Sequence, residues 1–387
     1  MLAVIATARV CNVAAGPLPT TTAPRPTAAS STASLRASCA DIVFDRLTLP
    51  QRVGQLFALG LARNRLGPAE LEAIRSHHVG SVWFTEATDG GVSAVRAVTI
   101  AVQAQATDAA TGSIRFYVAA NQEGGAIQAL QGTGFSTIPS AVTQGTFEPS
   151  VLQRDAAGWG RQLADSGVNL NFAPVMDVVP PETDARNQPI GLLHREFGHD
   201  PATVAIHGKA FIRGMSAAGI ATAAKHFPGL GRVRGNTDNV AGVNDTVTTA
   251  TDPSLRCFST AVDARAPFVM VALATYTRID AAHLAVFSRA VMRLLRDEIG
   301  FHGVIVSDDL GGTTAVRSVP PARRAIDFLL AGGDLIVSKT ADATVAMADA
   351  VVARASTDPA FDARVSDAVR HVLAAKAASH LLPCANE

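Results

Sequence analysis

The sequence predicts an α/β fold, a single-domain (β/α)8 barrel, and three observations carry that expectation. Eight short β-branched or apolar runs alternate with longer helical patterns from residue 47 onward. The units fill roughly 340 residues with no second linker, which suits a barrel with insertions. No GxGxxG follows the first run, and an open doubly wound sheet would usually stop at about five to seven strands.

The expected strands are residues 53–61, 79–84, 114–120, 168–175, 220–224, 268–274, 303–307 and 334–338. Helices are expected over 67–77, 150–166, 201–218, 253–264, 288–299, 322–331, 341–355 and 359–379. Several are entered through an Asp-Pro pair, as at Asp200-Pro201, Asp252-Pro253 and Asp358-Pro359. The aspartate can accept from the free N–H groups of the first turn, and proline fits the first helical positions.

Ahead of the barrel the composition changes. Residues 1–8 are apolar and residues 17–38 are almost entirely Pro, Thr, Ala and Ser, too poor in apolar side chains to bury a core. We therefore divide the chain into an export and tether segment, 1–38, with a disordered linker, and a barrel domain, 39–387. Cys11 is the candidate for lipid modification, which would make the protein secreted or attached to the cell envelope with a membrane tether. Arg9-Val10 before it fits poorly to the small residues of a lipoprotein cleavage site, and a disordered cytoplasmic leader is the alternative.

Of the 387 residues 48% are hydrophobic and 17% charged, with 33 Lys plus Arg against 33 Asp plus Glu. That balance, with no basic run, argues against nucleic-acid partners and against an anionic membrane surface. The longest apolar runs, near 268–274 and 328–333, fall well short of the roughly 20 residues that span a bilayer. The four cysteines, Cys11, Cys39, Cys257 and Cys384, have no short spacing, so neither a zinc site nor a redox CxxC is expected and no metal or other cofactor is implied. Because the termini of a closed barrel lie close together, Cys39 and Cys384 are a candidate disulfide in an oxidising compartment; two inert buried thiols are the other reading.

In such barrels the chemistry sits just past the C-terminal ends of the strands. Those positions hold Asn121-Gln122-Glu123-Gly124-Gly125, Met176-Asp177, Lys225-His226-Phe227-Pro228-Gly229, Tyr276, Ser307-Asp308-Asp309 and Lys339. Carboxylates and amides that pair with vicinal hydroxyls, beside Lys and His, suit a polyhydroxylated ligand. A carboxylate nucleophile with a second acidic group is the retaining route to glycoside cleavage. The rival chemistry is a Schiff-base aldolase on Lys225 or Lys339, which gives no reason for the Gly-, Pro- and Asn-rich loop 228–244.

The runs Lys225-His226-Phe227-Pro228-Gly229-Leu230-Gly231, Asn171-Phe172-Ala173-Pro174-Val175-Met176-Asp177-Val178 and Gln122-Glu123-Gly124-Gly125 stand in one order with the run from Gly300 to Leu310. Together they resemble glycoside hydrolase family 3, in its branch of single-domain bacterial β-N-acetylglucosaminidases that includes actinobacterial lipoproteins. The similarity runs from about Leu47 to Ala375. The resemblance implies Asp308 as nucleophile, with Asp309 supporting or capping the turn. It implies Lys225 and His226 as binders of sugar hydroxyls, and Arg195 as the arginine of the family's Arg-Ser-Phe-Gly run. Asn121 and Glu123 fall in the sugar-gripping segment. Asp177 either orients Lys225 or caps the loop, and both readings stay open.

Two departures stand out. The family's Asp-Gln-Glu-Gly-Gly-Arg is here Asn121-Gln122-Glu123-Gly124-Gly125-Ala126, and its acid/base Asp-Ser-His triplet is replaced by Asn236-Thr237-Asp238. Either Asp238 donates the proton, its pKa raised by burial and by Asp308, or an efficient general acid is lacking. In the second case the protein cleaves activated glycosides only, passes the sugar to phosphate, or merely binds. Asp238 can also be read as an Asx-turn residue, with Asp245 the next candidate acid. The expected function is a retaining exo-β-N-acetylhexosaminidase on N-acetylglucosaminides from cell-wall amino sugars, acting as a monomer on a small carbohydrate. A non-catalytic or phosphate-using relative at the cell envelope is the alternative.

Overall fold

The computed structural model describes residues 38–384, together with residue 16. Cys11 and nearly all of the 1–38 segment lie outside the described residues. Ser38 opens the fold as the N-cap of α1 (Cys39–Arg46), its hydroxyl accepting from Asp41 N–H. Cys39 and Cys384 are joined by a disulfide with Cα atoms 6.0 Å apart, and Cys257 is a buried free thiol. Among the described residues no helix is long and apolar enough to cross a membrane.

Eight parallel strands form the barrel: β1 (Phe57–Leu61), β2 (Ser81–Phe84), β3 (Tyr117–Ala120), β4 (Leu170–Asn171), β5 (Ala221–Phe227), β6 (Phe268–Val271), β7 (Val304–Ser307) and β8 (Ile336–Ser338). Their order around the sheet is β7-β6-β5-β4-β3-β2-β1-β8. Every strand position is buried, as expected where the barrel interior covers one face and helices the other. The remaining seam, β7 to β8, closes through a Val306–Leu335 bridge and the Ser307 N–H to Leu335 C=O bond of 2.9 Å.

Two side chains reinforce that seam. Ser307 Oγ accepts from Val337 N–H at 3.0 Å, and Asp334 Oδ2 accepts from Ile305 N–H at 2.9 Å. The Asp334 carboxylate is fully buried and also takes Arg296, Arg364 Nη2 at 2.8 Å and His371 Nδ1 at 3.1 Å. These pairs tie the strand ends to the outer helices just before Asp308.

Among the helices covering the sheet, two departures from the sequence expectations bear on how the barrel is built. Residues 53–61 divide: Thr48 and Gln51 form a capping box that starts α2 (Leu49–Gly54), so Val53 and Gly54 are helical, Gln55 and Leu56 make a turn, and β1 begins at Phe57. Residues 91–103 are rich in β-branched side chains and carry no helical expectation, yet they form α4 (Gly91–Gln103), which follows α3 (Pro68–Ser76). Its buried positions Gly91, Val95, Thr99 and Val102 recur at helical spacing, and packing on the barrel overrides propensity. Asp200 and Asp358 cap their helices as expected from the Asp-Pro pairs.

Removing the Asp334 carboxylate leaves two guanidinium groups facing a buried gap, so Asp334→Ala is expected to lower the unfolding free energy by about 3–5 kcal/mol. Urea unfolding measures this, and a loss under about 1 kcal/mol would show that the seam does not depend on it.

Candidate active site

At the C-terminal ends of the strands a cavity of about 430 Å³ opens, lined by polar groups including Asn121, Arg195, Lys225, His226, Asp238 and Asp308. Six of the residues expected from the sequence therefore meet in one place. Glu123 and Asp177 do not line the cavity; they stand behind it and hold the residues that do.

Glu123 sits in a tight hairpin where Gly124 and Gly125 take positive φ, 109° and 55°. A Cβ on Gly124 would meet Pro139 O at 2.3 Å, so the turn needs glycine there. The Glu123 carboxylate is gripped by Arg195, with Nε to Oε2 and Nη2 to Oε1 both 2.8 Å, and Lys225 Nζ lies 2.6 Å from Oε1. Burial alone would raise its pKa, but the charges of Arg195 and Lys225 outweigh that and hold it down at about 2. Burial draws Lys225 below the usual ammonium value, with Glu123 opposing the shift. Asn121 Oδ1 accepts a second Lys225 proton at 2.8 Å. With Nζ so engaged, Lys225 is a poor Schiff-base amine.

Asp177 orients His226, not Lys225. Its Oδ2 lies 2.8 Å from His226 Nδ1, while Oδ1 accepts from the backbone N–H of His226 at 3.1 Å and of Leu230 at 2.9 Å. Donation from Nδ1 sets the imidazole tautomer and leaves Nε2 as the other functional nitrogen. The Lys225–His226, Phe227–Pro228 and Ala173–Pro174 peptide bonds are cis. Arg195 is aimed by its own loop: Nη1 donates to Pro189 O at 2.7 Å, and Asn187 bonds Leu230 O and Val233 O across to the β5 loop.

Asp308 follows β7 and accepts from Asp309 N–H through Oδ1 at 2.8 Å. Asp309 caps the turn, taking the N–H groups of Gly311 at 2.7 Å, Gly312 at 3.0 Å and Lys339 at 2.8 Å. Its pKa is pushed up to about 6 by burial, with the Asp308 charge adding and the three N–H groups opposing.

Asp238 lies at the exposed mouth, on a loop pinned to the β7 loop by Thr314 N–H to Asp238 O at 3.2 Å and Ala315 N–H to Thr237 O at 3.1 Å. An Asx turn is present, but Asn236 makes it, its Oδ1 accepting from Asp238 N–H at 3.0 Å. The Asp238 carboxylate is left to the cavity. Desolvation by the walls and the charge of Asp308 raise its pKa, against Arg195, His226 and Lys339. Asp245, the next candidate acid, does not line the cavity: it is buried, and its carboxylate caps a turn by accepting from Val247 N–H, Thr248 N–H and Thr248 Oγ1. Tyr276 donates to Gly229 O at 2.8 Å and so supports the loop.

Trp83, Phe172, Met270 and Leu193 also line the cavity and were not legible as site residues. Trp83 and Phe172 meet edge to face with ring centroids 6.2 Å apart. Each stands at or just past a strand end, the one signal that could have marked it. Among the described residues the group able to gather around a cation is Asp184, Glu196 and His199, outside this cavity.

The family model described as Glycosyl hydrolase family 3 N terminal domain matches residues 48–375. A Beta-hexosaminidase of Vibrio cholerae is 34% identical over 223 residues, 57% of this chain and 64% of that protein, so the match spans under two thirds of that relative. Beta-hexosaminidase LpqI of Mycobacterium tuberculosis is 30% identical over 310 residues, 77% of this chain and 75% of that protein. Among solved structures, a Beta-N-acetylhexosaminidase from Beutenbergia cavernae matches with a TM-score of 0.83 and 50% identity, covering 85% of this chain and 98% of that one. M. tuberculosis LpqI matches with a TM-score of 0.74 and 26% identity, covering 87% and 95%.

Glu123→Gln would leave two buried cations without their carboxylate, and a loss of about 3 kcal/mol or more in unfolding free energy is expected at pH 7. Because the Glu123 pKa is depressed to about 2, the stabilisation is present above the unfolded value near about 4.3 and is lost as pH falls toward the folded one. The gap between wild type and variant, followed by denaturant unfolding, should therefore narrow below about pH 4. A variant as stable as wild type at pH 7 would show that Arg195 and Lys225 find other partners.

Proposed function

The chain belongs to glycoside hydrolase family 3, and from that premise we propose that it is a retaining, exo-acting β-N-acetylhexosaminidase working on N-acetylglucosaminides of cell-wall origin. One observation carries the reading: Asp308 and Asp238 line the same cavity, where burial first and the charge of Asp308 second raise the pKa of Asp238. A retaining mechanism needs that asymmetry between its two carboxyl groups. The names of the V. cholerae, M. tuberculosis and B. cavernae relatives support the amino-sugar substrate.

In the first step the Asp308 carboxylate attacks the anomeric carbon, the bond to the leaving oxygen breaks, and that oxygen takes the Asp238 proton. The resulting ester removes the negative charge at Asp308, and with it one of the two causes that raise the pKa of Asp238. Having given up its proton, Asp238 then stays ionised and is available as the general base. In the second step it accepts a proton from the water that attacks the anomeric carbon, and Asp308 is released as a carboxylate. Arg195 and Lys225 donate to sugar hydroxyls and His226 Nε2 accepts from one, with Glu123 and Asp177 holding them in place. Asn121 keeps its amide nitrogen for the sugar while its oxygen accepts from Lys225.

The Cys39–Cys384 disulfide supports an oxidising compartment, in keeping with a secreted or envelope-attached protein tethered through its first 38 residues. We take the working form to be a monomer with a small carbohydrate as its partner.

Asp308→Asn should keep the fold and lose turnover of an aryl N-acetylglucosaminide, since an amide cannot form the ester. Asp238→Ala should slow glycosides with poor leaving groups about 100- to 10,000-fold more than dinitrophenyl glycosides. Azide should restore its second step and give a β-azide product. Asp238 must be protonated to donate, so wild-type kcat/KM falls as pH rises through its raised pKa, and this alkaline limb should vanish in Asp238→Ala. Equal losses on every leaving group, with no azide rescue, would remove Asp238 from the mechanism. A sugar 1-phosphate formed in phosphate buffer would favour the phosphate-using alternative.

A further inference from the structure

The loop that carries Arg195 to the cavity holds a second cluster that the glycosidase chemistry does not use. Glu196, the next residue, is fully buried, and neither of its carboxylate oxygens has a hydrogen-bond partner; Asp184 Oδ1 is likewise buried and unpartnered. One oxygen from each, and one ring nitrogen of His199, lie within 4.8 Å of one another. Buried carboxylate oxygens are ordinarily satisfied by donors or neutralised by a positive charge. Two such groups side by side, with no donor on Glu196, mark a place where a proton or a cation is missing.

His199 completes a donor set. Its Nδ1 lies 2.9 Å from Val179 O. Donation there fixes the tautomer and leaves the Nε2 lone pair for a ligand, the arrangement common in metal-bound imidazoles. His199 is exposed and Asp184 half-buried, so a cation can enter from solvent while Glu196 closes the back of the site. Two carboxylates with one imidazole suit a borderline cation such as Zn²⁺, whereas Ca²⁺ and Mg²⁺ prefer oxygen ligands throughout. Ligand atoms around tetrahedral Zn²⁺ stand about 3.3 Å apart, so the three side chains would draw together slightly on binding.

We propose that Asp184, Glu196 and His199 form a Zn²⁺-class cation site that clamps the loop presenting Arg195. The cation ties the short turn Asp184–Arg186 to residues 196 and 199, on either side of the segment whose Asn187 and Pro189 already position Arg195. It takes no part in bond making or breaking. Its contribution is to hold the loop, and its action does not depend on the identity of the sugar. A single proton shared by Asp184 and Glu196 is the competing way to relieve the same charge.

The test uses the full chain, stripped with a chelator, dialysed, and titrated with ZnCl₂ by calorimetry alongside thermal unfolding. Wild type should take up Zn²⁺ at this site with a rise in Tm. His199→Ala, which changes an exposed side chain and so should fold, and Glu196→Gln should each lose affinity by more than the roughly 10- to 100-fold that removal of an outer partner costs. Each should also lose the rise in Tm. No Zn²⁺ uptake by wild type, undiminished affinity in either variant, or tighter binding of CaCl₂ than of ZnCl₂ would overturn the proposal. So would a Glu196→Gln protein that is more stable than stripped wild type while ZnCl₂ leaves wild type unchanged, which is the signature of the shared proton.

Discussion

The buried carboxylate of Glu123 joins three parts of the chain that lie far apart in sequence: the hairpin after β3, the end of β5 through Lys225, and the long loop after β4 through Arg195. Three charged groups in a dry place are costly unless they satisfy one another, and here the bidentate arginine and the lysine share both oxygens of the acid. The cavity inherits its shape from that arrangement. Lys225 is turned toward Asn121, Arg195 is held across the mouth, and the loop that brings it must follow a single path. Asp177 repeats the device on a smaller scale, fixing the ring of His226 and the start of the following loop with one carboxylate.

Closure of the barrel supplies the other half of the geometry. Because β7 and β8 meet through few backbone bonds, Ser307 and Asp334 add side-chain bonds at the seam, directly before the residue that reaches into the cavity. Asp308 and Asp309 then take opposite parts although they are neighbours. Asp309 is consumed by three backbone N–H groups that shape the turn, while Asp308 is left facing the ligand space. The Asp238 loop is fastened to this same turn by backbone bonds, so its approach depends on the strand that carries Asp308.

Much of this was legible in the sequence, and the limits have physical causes. Strands buried on both faces read as continuous apolar runs, which is why all eight were visible; an apolar run alone does not say where a helix gives way to a strand, and Thr48 with Gln51 decided that for residues 53–61. The fourth run shrank to Leu170–Asn171 because the segment beyond it contains Pro174, which has no N–H for a ladder. Polar residues at strand ends announced the mouth of the barrel. Their pairing did not show, since whether Asp177 meets Lys225 or His226 depends on side-chain direction within a bulged strand. Trp83 and Phe172 are buried in the core as well as lining the cavity, and apolar residues at such positions give no sign of the second role. Asp184, Glu196 and His199 have no recognisable ligand spacing, because loop folding alone brings them together.

In the proposed mechanism the Asp308 carboxylate becomes covalently bound to the sugar, and trapping that intermediate tests it most directly. The protein would be incubated with a 2-fluoro glycoside, which slows release of the ester, and its peptides mapped by mass spectrometry. One fluorosugar added to the peptide containing Asp308 is expected, with activity lost in step with labelling. Label on Asp238, Asp309 or any other carboxylate, or inactivation with no covalent adduct, would contradict it.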